Sequence, residues 1–243
     1  MGPIIQISSL SFAYPDGTGA LDDVSLEIFE NECIGLVGPN GAGKTTLLLH
    51  LNGILSGKGR IVVDGLEVCK RNIREIRKKV GIVFQDPEDQ LFSSTVFDDI
   101  AFGPGTMGLD KTEILSRVRS ALREADLEGC EEKPPYHLSF GQKKKAALAS
   151  ILSMRPKIIV LDEPTSNMDP RGRRRFLRLI KGLRATKILS THDMESVSEL
   201  CDRVIVLDSG RLVADGDART ILSDKGLMES HGLEVPFSVR GLA

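Results

Sequence analysis

Two kinds of apolar spacing alternate along the chain. In residues 4–12, "IIQISSLSF", and 24–29, "VSLEIF", apolar and polar positions alternate, the period of a strand with one solvated face. The cluster "PDGTG" between them reads as a turn. Residues 33–38, "CIGLVG", form a short unbroken apolar run ending in glycine, the texture of a parallel strand covered on both sides. A helix is expected in "TTLLLHLNGIL", then strands in "GRIVVDG" and, over 79–85, in "KVGIVFQ". From about 86 to 155 the texture changes. There "TEILSRVRSALREADL" sets Ile114, Leu115, Val118, Ala121, Leu122 and Ala125 at helical spacing, an amphipathic helix. Strands return at 157–164, 187–192, 203–210 and 211–216, with a helix over "PRGRRRFLRLIKGL" between the first two.

Strands alternating with helices at this spacing predict an α/β fold with a mostly parallel sheet covered on both faces. The stretch 86–155 is read as a helical insertion between core strands, leaving 1–85 and 156–243 as the core of one domain. The length of 243 residues suits that size. A net charge of −2 supplies no global field for nucleic acid or anionic lipid, and the arginines of 171–175 read as a solvated helix face. Cys33, Cys69, Cys130 and Cys201 form no C-x-x-C pair, which argues against a disulfide framework or zinc site and fits a reducing cytosol. Purely apolar runs of about four residues fall far short of the roughly 20 that span a bilayer, and the N-terminus lacks a signal-type stretch. The chain is therefore expected to be soluble and to reach a membrane only through a partner.

The chemistry concentrates at Gly38-Pro39-Asn40-Gly41-Ala42-Gly43-Lys44-Thr45, a complete G-x-x-x-x-G-K-[ST] followed by Thr46. Its context also fits, with a buried strand before it and a helix after it. Glycines let backbone N–H groups turn inward, and these donors with the helix N-terminus cradle phosphate. Lys44 is expected at the β/γ-phosphates and the Thr45 hydroxyl at Mg²⁺. In "IIVLDEP", Asp162 stands at a strand's C-terminal end, where open α/β sheets bind ligands, and is expected in the Mg²⁺ shell. Glu163 follows as the group that orients or deprotonates water for attack on the γ-phosphate. His192 closes the strand "KILSTH" and is read as a γ-phosphate partner. Gln85 closes "KVGIVFQ" and opens the insertion, where it can contact Mg²⁺ or the attacking water.

A second feature lies in "LSFGQKKKAALA". Ser139, Gly141 and Gln142 lead into a helix bearing Lys143, Lys144 and Lys145, an anion site by virtue of the serine cap and the close approach that glycine allows. Carried on the insertion, it is expected to close over a nucleotide held by a second copy of the chain rather than its own.

Taken together, "GPNGAGKTT", Gln85, "LSFGQ", "IIVLDEP", "SNMD" and His192 resemble, in order and spacing over nearly the whole chain, the ATP-binding-cassette (ABC) ATPases. The resemblance implies a P-loop NTPase core of RecA-like type with an N-terminal antiparallel β subdomain and an inserted α-helical subdomain. It implies ATP and Mg²⁺ as cofactors, Tyr14 as the aromatic stacked on adenine, and the loop Ser166–Asp169 as a contact with the facing subunit, with Asp169 counted among the nucleotide-site residues. Phe140 stands where the family commonly has glycine. The segment 84–104, "FQDPEDQLFSSTVFDDIAFGP", resembles the ATPases of energy-coupling-factor importers, notably those for cobalt and nickel. That implies a homodimer, or a heterodimer with a paralogue, lying peripherally on the cytoplasmic face of the plasma membrane beneath a transmembrane scaffold and a substrate-capture subunit. Residues around Pro87–Leu91 would receive the scaffold's helices. A vitamin importer, biotin-like in cargo, and a soluble ABC-type ATPase without a membrane partner are the alternatives. A P-loop kinase would leave "LSFGQ" without a role. His50, His137, His192 and His231 show no spacing for an intrinsic cobalt or nickel site.

Overall fold

The alternating N-terminal segments form β1 (Ile5–Ala13) and β2 (Gly19–Ile28), paired antiparallel. After β3 (Cys33–Val37) and α1 (Lys44–Leu51), β4 (Lys58–Val63) and β5 (Leu66–Glu67) complete an antiparallel sheet in the order β2-β1-β4-β5. This computed structural model describes residues 2–240 of the chain. Beyond α2 (Ile73–Lys79) and β6 (Val80–Val83), the insertion carries α3 (Val96–Thr106), α4 (Lys111–Glu124) and α5 (Phe140–Leu152). Then follow β7 (Ile158–Asp162), α6 (Pro170–Gly182), β8 (Thr186–Ser190), α7 (Met194–Leu200), β9 (Arg203–Asp208), β10 (Arg211–Asp217), α8 (Ala218–Ser223) and α9 (Lys225–Ser230).

The second sheet runs β10-β9-β3-β8-β7-β6. Every pairing from β9 to β6 is parallel; β10 returns antiparallel on β9, so the segment 211–216 is an edge hairpin rather than another parallel strand. Period-two alternation splits the interior into two clusters. Ile158 and Val160 of β7 pack with β1, β2 and Leu47 and Leu48 of α1. Ile159 and Leu161 pack with Phe176 and Leu177 of α6 and with the insertion. A sheet apolar on both faces is what unbroken runs such as "IIVL" provide.

The insertion leaves and rejoins the sheet at two hydrogen-bonded neighbours, β6 and β7. Val96, Ile100, Val118, Leu122 and Leu148 from its three helices share one apolar cluster with Phe176 and Leu177. On α4 the expected face is buried at Val118, Ala121 and Leu122, whereas Leu115 stays 38% exposed. Asp110 starts α4 by accepting from the N–H groups of Thr112 and Glu113, both at 2.9 Å. In α3, Gly103 lets the Met154 side chain pack close, since a Cβ there would stand 2.6 Å from Met154 Cγ and force it to shift.

Candidate functional site

The C-terminal ends of β3, β7 and β8 lie side by side, and the loops leaving them bound a cleft of about 640 Å³. The phosphate loop forms one wall. Gly43 has φ +98°, and a Cβ there would lie 2.3 Å from the Ala20 carbonyl oxygen, so only glycine lets α1 begin at this point. Lys44 is 9% exposed and donates to the carbonyl oxygens of Gly38 at 2.7 Å and Pro39 at 2.9 Å. Burial lowers its pKa, while the charges of Glu163 and Asp162 oppose the shift.

Thr45 donates its hydroxyl to Asp162 Oδ2 at 2.8 Å, joining the loop to the end of β7. Asp162 is 5% exposed, and among the described residues its Oδ1 has no hydrogen-bond partner, nor has the neighbouring Ser190 Oγ. Burial raises the Asp162 pKa; the Thr45 hydrogen bond and the Lys44 charge oppose it. A buried carboxylate with one orphaned oxygen and a hydroxyl beside it is the hard-oxygen donor set that Mg²⁺ takes together with phosphate oxygens. These residues fit that ion, and a cation here would relieve the desolvation of the carboxylate.

Glu163 turns the chain at φ +44°, a left-handed conformation that costs a non-glycine residue on the order of 1–3 kcal/mol. Its N–H donates to the Ser190 carbonyl at 2.8 Å. The carboxylate crosses to the end of β8. Oε1 accepts from the His192 N–H at 3.0 Å and lies 2.9 Å from His192 Nδ1, and Oε2 accepts from the Thr191 hydroxyl at 3.2 Å. The His192 ring is 72% exposed. At the far end of the cleft, Tyr14 donates to or accepts from Thr46 Oγ1 at 2.9 Å and stays 37% exposed.

The cleft thus assembles Tyr14, Asn40, Gly41, Ala42, Gly43, Lys44, Thr45, Thr46, Gln85, Asp162, Glu163 and His192. Gly38, at the start of the loop, is not among the lining residues; a Cβ there would stand 1.9 Å from the Leu207 carbonyl oxygen. Ser139, Gly141, Gln142 and Asp169 are not among the lining residues. Ser139 caps α5 in a reciprocal box, its hydroxyl accepting from the Gln142 N–H at 3.3 Å and its own N–H donating to Gln142 Oε1 at 3.0 Å. Asp169 caps α6 through the N–H groups of Arg171 and Gly172, which hold its pKa low. Of the three lysines, Lys143 pairs with Glu88, Lys145 reaches Asp126 Oδ2 at 2.7 Å, and Lys144 turns inward. None of the three ammonium groups is therefore left free at this helix start.

Two residues to which the sequence reading gave no role of their own tie these parts together. Gln90 accepts from the Phe84 N–H at 3.2 Å and donates to the Ala147 carbonyl at 2.7 Å and to Ser150 Oγ at 2.9 Å. Lys144, fully buried, donates to the main-chain oxygens of Gln85 and Glu163. Burial pushes its pKa down to about 8 against the pull of Glu163, Asp86 and Asp162. The signal was available for Lys144, since it precedes the buried Leu148 and Leu152 at spacings of four and falls on the apolar stripe of α5.

With this geometry in hand, the chain matches the ABC transporter family model over residues 21–166. It is 50% identical to the energy-coupling factor transporter ATP-binding protein EcfA of Carboxydothermus hydrogenoformans, over 99% of this chain and 90% of that protein. Among solved structures it is similar to CbiO1 of Clostridium perfringens, described as part of the ABC transporter complex CbiONQ. That match has 38% identity and a TM-score of 0.83, covering 95% of this chain and 94% of the other. It is also similar to the ATP-binding cassette MJ0796, a dimer in a post-hydrolysis state bound to ADP and Pi. There identity is 26%, the TM-score is 0.79, and 88% and 98% of the two chains are covered.

Proposed function

Since the chain belongs to the ABC transporter family and is an ATPase, we propose that it is the motor subunit of an energy-coupling-factor importer: two copies close around two ATP molecules with Mg²⁺ and drive membrane subunits. The observation that carries this reading is the division of the machinery. Phosphate loop, Asp162, Glu163 and His192 line one cleft, while the Ser139–Gly141 helix start lies outside it on the same chain.

In this reading the backbone N–H groups of residues 41–46 and the start of α1 bind the β- and γ-phosphates. Lys44 exchanges its two carbonyl partners for phosphate oxygens. Thr45 and Asp162, with Gln85 beside them, would hold Mg²⁺, which neutralises phosphate charge when bound. Glu163 takes the proton of the attacking water, and the exposed His192 imidazole hydrogen-bonds the γ-phosphate. Tyr14 stacks on the adenine. Ser139 and Gly141 of the second copy then cover the γ-phosphate, and Asp169 lies at the contact between copies. Such closure is driven by nucleotide only if the closed pair binds it better than the open chain. The partner's helix N-terminus supplies that difference.

Phe92 and Phe102 are 68% and 55% exposed and meet edge to face at 5.1 Å, beside the turn Pro87–Asp89 that follows Gln85. This aromatic pair suits the docking of a scaffold's cytoplasmic helix close to the nucleotide site. Among the described residues no helix is long and apolar enough to cross a membrane. The proposed location is the cytoplasmic face, held there by the membrane subunits. The proposed cargo is a transition-metal cation, cobalt or nickel, on the likeness of 84–104 to importers of that type.

The test is Ser139→Arg in the full chain. Loss of ATP turnover with ATP affinity retained is expected, because the substitution obstructs only the partner's site. Unimpaired phosphate release would remove the case for a site shared between two copies.

A further inference from the structure

We propose that Lys144 is a positioning residue for ATP hydrolysis: its ammonium joins the segments leaving β6 and β7 and thereby sets where the Gln85 and Glu163 side chains stand. The inference rests on the role of Glu163 proposed above. Lys144 Nζ donates to the Gln85 carbonyl at 2.6 Å, to the Glu163 carbonyl at 3.0 Å and to Ser166 Oγ at 3.3 Å. An ammonium has three protons, and here three acceptors meet them. The side chain is 0% exposed, a burial that a lysine tolerates only when so paired. One turn earlier on the same helix, the Phe140 ring lies 5.6 Å from Nζ.

The three acceptors stand 59, 19 and 22 residues away along the chain, in segments with different duties. Gln85 lies two residues beyond β6, where the chain enters the insertion. Glu163 holds its left-handed turn between opposed restraints. Its N–H is fixed to Ser190, and its carbonyl accepts from Lys144 and, at 2.9 Å, from Ser166 Oγ. Strained backbone of this kind persists only when its surroundings over-determine it. Among the described residues, Lys144 makes the only side-chain hydrogen bonds from the insertion to the 163–166 loop. Lys143 and Lys145 spend their charge on Glu88 and Asp126 within the insertion. The same helix starts at Ser139, so a shift of α5 is felt at the carbonyl of the proposed base.

The experiment compares Lys144→Met, which keeps length and loses the donors, with Lys144→Arg in the full chain. It measures thermal melting, ATP affinity by calorimetry, and kcat and KM separately. A displacement of about 1 Å at a reacting group costs up to about 100-fold in rate, so a kcat at least about tenfold lower is expected for Lys144→Met, with ATP affinity within about threefold. Lys144→Arg should recover part of kcat. A folded Lys144→Met protein with wild-type kcat, or with kcat and ATP affinity falling in step, overturns the proposal. Should Lys144→Met fail to fold, Lys144→Gln, which keeps a neutral donor at the same place, is measured instead; it should lower kcat and leave ATP affinity within about threefold, and an unchanged kcat again overturns the tie. Normal turnover by Glu163→Gln would instead remove the base itself, a separate failure.

Discussion

Replacing Glu163 with glutamine isolates its charge from its shape. The carboxylate accepts from the His192 N–H at 3.0 Å, faces His192 Nδ1 at 2.9 Å and accepts from Thr191 Oγ1 at 3.2 Å. A glutamine oxygen can take the two His192 contacts, and its NH₂ can donate to the Thr191 hydroxyl. What disappears is the charge assistance of those bonds, about 1 kcal/mol in stability, or about 2–4 °C in melting temperature at this chain length. Loss of a general base costs far more, about 10²–10⁴ in rate, which is about 3–5 kcal/mol on the barrier. Binding and closure do not need the base. Glu163→Gln should therefore stay folded, bind ATP, and accumulate as a dimer on sizing columns run with MgATP while phosphate release nearly stops. A monomeric variant that releases phosphate within about threefold of the wild-type rate would falsify the assignment.

Lys44→Ala removes the ammonium from the phosphate loop, and calorimetry should show ATP affinity falling at least about tenfold; charge-assisted hydrogen bonds of this kind are worth about 1.5–3 kcal/mol. Unchanged binding would contradict the loop assignment. Asp64 provides a test of pH dependence away from the cleft. Hydrogen bonds from Lys79 and Lys157, the latter at 2.9 Å to both carboxylate oxygens, hold its pKa below the ordinary value. A depressed carboxylate stabilises the fold above its unfolded pKa and loses that contribution as pH falls through the folded one. Asn tolerates the φ of +46° at this turn, so Asp64→Asn should cost about 1 kcal/mol near neutrality, with the gap in urea midpoint closing below about pH 4. A gap that persists in acid would refute the ion-pair account.

Much of this was legible in the residues because it is local. Eight consecutive positions specify the phosphate loop, and "IIVLDEP" places Asp162 and Glu163 at a strand's mouth by counting alone. The parallel sheet follows from unbroken apolar runs. Other features depend on apposition. Helix α3 ends in "FGPGT", a sequence that propensity assigns to a loop, yet Gly103 is helical and buried, with the Met154 side chain packed against it. The sequence presents Lys143, Lys144 and Lys145 side by side with nothing to tell them apart in role; the fold separates Lys144 from its neighbours by bringing the carbonyls of Gln85 and Glu163 to meet it. Tyr14 entered through resemblance to a family, since a lone tyrosine carries no pattern.

The insertion shares its apolar interior with α6, where Phe176 and Leu177 belong to the same cluster as Ile100, Leu122 and Leu148. It is therefore not a flap swinging on two threads. To turn it, side chains packed like a solid must slide past one another, and sliding of that sort goes in short increments between well-fitted arrangements. A machine made this way delivers a small stroke firmly, and its travel is limited by how far interlocked methyl groups can slip before a gap opens behind them.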